Sequence, residues 1–331
     1  MEVITPTKLK NGDEIRVIAP SGSMALLNSL TIEIATKRLK DFGFKVSFGK
    51  NVNNVFSNDY QCASIEDRVQ DLHEAFADAN VKAILTAIGG FSVNQILDYV
   101  DYDLIKNNPK IICGFSDVTA LLNAIYAKTG LITYCGPHYS SFGMKKGFDY
   151  TLKYFKKILM ENGCVELPPS GEWSDDLWFL DQDKRNFINN DGIKVINKTN
   201  STGKIIGGNL CTLNLLQGTE YMPELDNTIL FIEDDCLIEG DNYFREFDRN
   251  IQSLLHCYSY ERKKLNGIVV GRAQIGSNMN FNKWEEMFCT REYLKNIPII
   301  VNADFGHTTP VFTFPIGGNA RIYNDVISID E

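Results

Sequence analysis

The chain has 331 residues, 33 basic and 42 acidic, with a formal net charge of -9. Its length exceeds one small core and suits two domains or one large α/β domain. The acidic balance argues against a nucleic-acid polymer or an anionic membrane as partner, and no run reaches the length of a membrane span.

From Ile15 to Met160, short β-branched runs alternate with amphipathic stretches, the pattern of βαβ units around a parallel sheet. Strands are predicted over 14–19, 45–48, 81–87, 110–113 and 131–135, and helices over 29–41, 65–79, 93–98 and 118–128, with 150–160 closing this part. Ser64 and Asp67 have the spacing of a capping box. Periodicity fades over 162–200, where Pro168, Pro169 and Gly171 interrupt it, so this stretch reads as an interdomain crossing with some structure of its own. Beyond Gly203, strands are predicted over 204–206, 228–232, 267–270, 299–302 and 320–327, and helices near 211–216, 243–256 and 282–294. The expected fold class is α/β. A Rossmann-like parallel-sheet domain would occupy 1–165 and a linker 166–200, and an α/β domain with a mixed or barrel-like sheet would occupy 201–331.

The first 19 residues lack the basic start and apolar middle of a signal peptide. Eight cysteines are scattered without a CxxC pair, several inside apolar runs, as reduced thiols are. A cytoplasmic location is therefore expected.

Ser116, in IICGFSDVTAL, stands where an apolar run gives way to a helical pattern. A serine on such a corner is held clear of the backbone, near the helix N-terminus, which suits a nucleophile. Ser116 or Asp117 would otherwise simply cap the helix that follows, the commoner role for a serine in this context. A nucleophilic serine needs a base, and the base needs an orienting group. Of the four histidines, His307 in ADFGHTTP lies in a loop after an apolar strand, where functional side chains are displayed, and His138 in CGPHYSSFG competes with it. Glu233 closes the run TILFI, so a strand would deliver its carboxylate to the sheet edge; it would otherwise be one acid of an exposed turn.

Developing negative charge on a substrate oxygen needs N–H donors. Gly89 and Gly90 end a strand without side-chain obstruction, beside Phe91, and the N–H of Asp117 directly follows the serine. Asn209, in Gly207-Gly208-Asn209, marks a second strand-to-helix corner, where it would contact substrate or cap a helix. No GxGxxG fingerprint supports a dinucleotide cofactor. Two other readings use the same residues: a divalent-metal hydrolase built on Glu233, Asp234, Asp235, Asp304 and His307, and a non-catalytic protein that closes on a small ligand.

The segments AIGGFSVNQIL, IICGFSDVTALL, YCGPHYSSFG, KIIGGNLCTLNLLQGT, ILFIEDD, GIVVGR and ADFGHTTPVFTFPIG, in this order, resemble the LD-carboxypeptidases and the related microcin C immunity proteins of the MccF type. The resemblance covers about residues 12–327. It implies a serine peptidase with the triad Ser116, Glu233 and His307, an oxyanion hole at Gly90 and Asp117, no cofactor or metal, and commonly a homodimer. It also implies hydrolysis of an amide near a carboxyl end, in a murein tetrapeptide or a peptidyl or aminoacyl nucleotide. DYDLIKNNPKIICGFSDVTALLNAIYAKTG is closer to the immunity branch. In GEWSDDLWFLDQ, however, the aromatic residues that would frame a nucleobase do not fall in register; Trp178 and Phe179 either substitute for them or belong to the core. Gly89, Phe91, Asn209 and Trp178 are the expected substrate contacts.

Overall fold

The structure is a computed structural model that describes residues 2–261 and 263–331. Its first half runs through β1 (Glu14–Ile18), α1 (Ser29–Asp41), β2 (Lys45–Phe48), α2 (Ile65–Ala77), β3 (Val81–Thr86), α3 (Tyr102–Asn107), β4 (Ile111–Gly114), α4 (Thr119–Thr129), β5 (Thr133–Cys135) and α5 (Asp149–Leu159). The strands lie parallel in the order β2-β1-β3-β4-β5. This is a doubly wound order, with its switch point between β1 and β3. Strands such as β4, buried at every residue, are apolar on both faces because helices cover both faces. Ser64 caps α2 as its spacing predicts, its Oγ accepting the N–H of Asp67 at 3.1 Å.

The second half contains β6 (Val165–Glu166), β7 (Glu172–Trp173), β8 (Ile188–Asn189), β9 (Lys194–Asn197), β10 (Ser201–Asn209), α6 (Leu210–Asn214), β11 (Thr228–Glu233), α7 (Asp241–Glu261), β12 (Leu265–Gly271), α8 (Phe281–Cys289), β13 (Ile299–Ala303), β14 (Phe314–Ile316), β15 (Asn319–Tyr323) and β16 (Val326–Asp330). A parallel core, β10 to β13, sits in a mixed sheet of order β6-β16-β15-β10-β11-β12-β13-β9, open at its two edges rather than closed as a barrel. The second half also completes the first half's sheet. β9, from the crossing segment, pairs antiparallel with β13, while β14 returns to pair antiparallel with β5.

Three local expectations change. The stretch 320–327 is a hairpin, β15 and β16, because Asn324 and Asp325 adopt φ of 49° and 64°, the left-handed pair that a two-residue hairpin turn requires. The helix expected at 93–98 is a 3₁₀ segment, followed by α3, whose cap Asp101 accepts the N–H of Leu104. The helix expected at 282–294 ends at Cys289, with a separate 3₁₀ turn at Glu292–Leu294.

Helix α4 joins the two sheets. It is buried nearly all round, as a helix between two layers must be. Thr119 Oγ1 accepts the N–H of Asn209 at 2.9 Å, and Asn123 Nδ2 donates to the Gly207 carbonyl at 2.9 Å. The start of α4 is thereby fixed beside the carboxyl ends of β10 and β11. No helix of the described residues is long and apolar enough to cross a membrane, and all eight cysteines are free thiols.

Candidate active site

Ser116 stands two residues after β4 with φ of 59°. A non-glycine residue pays roughly 1–2 kcal/mol to adopt this left-handed conformation. The chain then enters a 3₁₀ turn and α4, and neither Ser116 nor Asp117 caps α4 with its side chain. Capping therefore does not account for the corner. The strained strand-turn-helix geometry is the one that exposes a serine hydroxyl.

Glu233 ends β11 and is 3% exposed. His307 lies in the loop after β13. Its Nδ1 is 2.7 Å from Glu233 Oε2, and its Nε2 is 3.0 Å from Ser116 Oγ. Residues separated by 191 and 74 positions in sequence thus form one continuous relay. Asn209 steadies it from behind: its Nδ2 donates to Asp234 Oδ1 at 3.1 Å and to Glu233 Oε1 at 3.4 Å.

Burial acts against a charged His307, but Glu233 at Nδ1, with Asp235 and Asp234 beyond it, outweighs burial and lifts the imidazole to about 9. Burial, reinforced by the Glu233 charge, pushes the Asp234 carboxyl up to about 7. His138 is different. Burial and the neighbouring His307 hold it down to about 3, so it stays neutral, and its Nδ1 lies 2.6 Å from Thr86 Oγ1. It is His307 that engages Ser116.

These groups open into a cleft of about 440 Å³, walled by Gly89, Gly90, Phe115, His138, Trp178 and Phe179 among others. Gly89 is pressed against the serine, since a Cβ there would lie 3.1 Å from Ser116 Oγ. Two of the expected substrate contacts are placed elsewhere. Asn209 is 1% exposed and caps α6, its Oδ1 accepting the N–H and hydroxyl of Thr212; its own N–H is held by Thr119 of α4, which the preceding Gly208 lets approach closely. Phe91 is 79% exposed, outside the cleft wall. Trp178 does line the cleft and meets Phe179 edge-on at 5.9 Å.

The residues of the metal reading do not converge as one ligand set. Asp304 pairs with Arg272 at 2.9 Å, while Glu233 and His307 bind each other. Among the described residues, the grouping with metal-ligand spacing is instead Cys211, Asp234 and Asp235.

Several anchors of the site have no local signal in the sequence. Ser174 and Thr309 exchange two backbone hydrogen bonds, at 2.7 and 2.9 Å, tying the crossing segment to the His307 loop. Asp175 accepts from Gln274 Nε2 at 3.0 Å and from the N–H of Ile275 at 2.5 Å. Asp304 accepts the N–H of Ser170 at 2.6 Å as well as Arg272, whose guanidinium lies 4.9 Å from the Trp173 ring centre.

Comparison with known proteins agrees with this architecture. Residues 15–136 match the LD-carboxypeptidase N-terminal domain and residues 202–322 the LD-carboxypeptidase C-terminal domain. The chain belongs to the LD-carboxypeptidase family. YocD of Bacillus subtilis (strain 168) is 50% identical over 316 residues, 96% of this chain and 95% of YocD. An MccF-like protein from Bacillus anthracis str. Ames is 49% identical and superposes with a TM-score of 0.94 over 99% of both chains. MccF solved with glutamyl sulfamoyl guanosine is 31% identical, with a TM-score of 0.87 over 98% of both chains.

Proposed function

We propose that the chain is a serine carboxypeptidase in which Ser116 is the nucleophile, His307 the general base and then acid, and Glu233 the group that orients His307. The observation that carries this reading is the unbroken relay from Ser116 Oγ through His307 to Glu233, at 3.0 and 2.7 Å. Ser116 Oγ attacks the scissile carbonyl carbon as its proton passes to His307 Nε2. His307 then gives that proton to the departing amine, and water repeats the sequence to release the acid. The N–H groups of Gly90 and Asp117 are the proposed donors to the oxyanion. Glu233, accepting from Nδ1, fixes the tautomer that leaves Nε2 free to act as base.

Of the two substrate classes, an aminoacyl or peptidyl nucleotide is favoured over a murein tetrapeptide. Trp178 and Phe179 line the cleft; Trp178 is half-buried against the core, and Phe179, 47% exposed, is the ring open to a nucleobase. MccF, solved with glutamyl sulfamoyl guanosine, supplies the analogy. The working form we propose is a homodimer, as the family resemblance implies, in the cytoplasm, as the scattered unpaired cysteines lead us to expect, and sedimentation would test the oligomeric state.

The decisive experiment compares wild type and Ser116→Ala on glutamyl sulfamoyl guanosine and on a murein tetrapeptide. Loss of a nucleophile from such a relay costs several orders of magnitude in kcat. Wild-type turnover of the nucleotide amide that disappears in Ser116→Ala supports the reading, whereas comparable turnover in the two proteins overturns it. Preference for the tetrapeptide would overturn the substrate assignment alone.

A further inference from the structure

The relay leaves one charged group near the serine unused, the side chain of Asp117. It is 4% exposed. Its Oδ2 accepts three hydrogen bonds: the hydroxyl of Ser21 at 2.5 Å, the N–H of Ser92 at 2.9 Å and the N–H of Val93 at 2.9 Å. These donors come from the loops that follow β1 and β3, while Asp117 itself follows β4. One carboxylate oxygen thus joins three loops at the switch-point crevice.

Gly90 lies within this junction, two residues before Ser92. A Cβ on Gly90 would stand 2.5 Å from Ser21 Oγ and 2.9 Å from Gly22 N, and the N–H of Gly22 donates to the Gly89 carbonyl at 2.9 Å. Arg68, 2% exposed, closes the network. Its Nη1 donates to the carbonyls of Pro20 and Ser92 at 3.1 and 2.9 Å, and the guanidinium charge acts on Asp117. Hydrogen bonds to a buried, charged acceptor are the stronger kind, and a network in which each member is satisfied is rigid.

We infer that the Asp117 carboxylate, clamped by Ser21, Ser92 and Val93 and balanced by Arg68, is a positioning group that sets the distance between the N–H groups of Gly90 and Asp117. This rests on the serine-hydrolase reading given above. The two donors belong to different loops with no short covalent connection, so their separation must be fixed through space. Preorganised donors stabilise an oxyanion without reorganising during reaction. The carboxylate therefore acts on the transition state through the backbone and touches no substrate.

The test is the reaction of the intact protein with a fluorophosphonate probe, in which Ser116 Oγ attacks phosphorus, fluoride leaves and the phosphoryl oxygen occupies the oxyanion position. Inactivation kinetics separate the maximal rate from the half-saturating probe concentration. Asp117→Asn, which replaces one acceptor oxygen with a donor, is expected to lower the maximal rate on the order of 10²-fold while half-saturation stays within about twofold. Ser21→Ala removes one of the three donors and is expected to lower that rate on the order of 10-fold, which keeps the test open if Asp117→Asn fails to fold. Ser116→Ala is the control. If it labels as fast as wild type, the serine reading itself has failed. If it is inert while Ser21→Ala and a folded Asp117→Asn label at wild-type rates, or lose only probe binding, the positioning role of Asp117 is overturned and the serine reading stands.

Discussion

Gly306 is packed against Glu233 so closely that a Cβ on the glycine would lie 2.6 Å from Oε2, the oxygen that meets His307. Gly306 also adopts φ of 104°, which side chains rarely tolerate. The two facts have one structural purpose: the loop after β13 must pass over the end of β11 to bring His307 onto the carboxylate. Gly306→Ala is therefore expected to cost roughly 1–3 kcal/mol of stability and to displace the carboxylate from Nδ1. Because small misplacements in such a site are costly, activity should fall on the order of 10²-fold. Thermal unfolding together with steady-state kinetics checks both, and unchanged kcat would show that the close approach is unimportant.

In the proposed mechanism, the charge on His307 sets the pH at which Ser116 is activated. Only neutral His307 can accept a proton, and with the imidazole lifted to about 9 most of it is protonated at neutral pH. The acylation rate should thus rise with pH to a plateau above about 9. Glu233→Gln removes the strongest opposing charge, so burial then dominates and the midpoint should move down by at least about one unit, while the plateau itself falls. The same linkage acts on stability. The raised value in the folded state stabilises it below the ordinary imidazole value, and this contribution is lost as pH climbs from about 6.5 through about 9. A pH profile of acylation in the two proteins is the measurement; an identical midpoint would contradict the assigned role of Glu233.

Much of this was legible from residue pattern. The βαβ alternation predicts the parallel sheet, and the strand ends place Ser116 and Glu233 where they are found, because apolar runs that stop at a polar residue stop at a sheet edge. The Asn324-Asp325 pair, which a single strand over 320–327 ignores, is the turn of the β15–β16 hairpin. Other features had no local signature. Nothing near Asp117 indicates that its carboxylate reaches back to Ser21, since that contact is made by loops 96 residues apart. Asn209 illustrates the opposite problem. Its corner resembles that of a substrate-facing residue, but Gly208 beside it lets β10 close on Thr119 of α4 while Gly207 lies against the backbone of Phe231 in β11, leaving the asparagine buried behind Glu233.

Two buried acids near the site should respond in opposite ways to neutralisation. Asp234 and Asp304 are 7% and 2% exposed. Asp304 has a full countercharge in Arg272, which is itself 6% exposed. Asp304→Asn would strand that guanidinium and is expected to destabilise the fold by about 3–5 kcal/mol, while loosening the crossing segment held at Ser170. Asp234 faces Glu233 instead and takes up a proton at about 7 in the folded protein. Between its ordinary value near 4 and about 7, folding must draw a proton onto it, so stability declines with rising pH across that window and levels off above it. Asp234→Asn removes this decline and retains an oxygen for Asn209 Nδ2. Its unfolding temperature should exceed that of wild type by a margin that grows between pH 4 and 7 and is constant above. Unfolding of both variants across pH 4 to 9 measures the contrast, and a margin for Asp234→Asn that shrinks as pH rises would show that Asp234 is stabilised as a carboxylate by its surroundings.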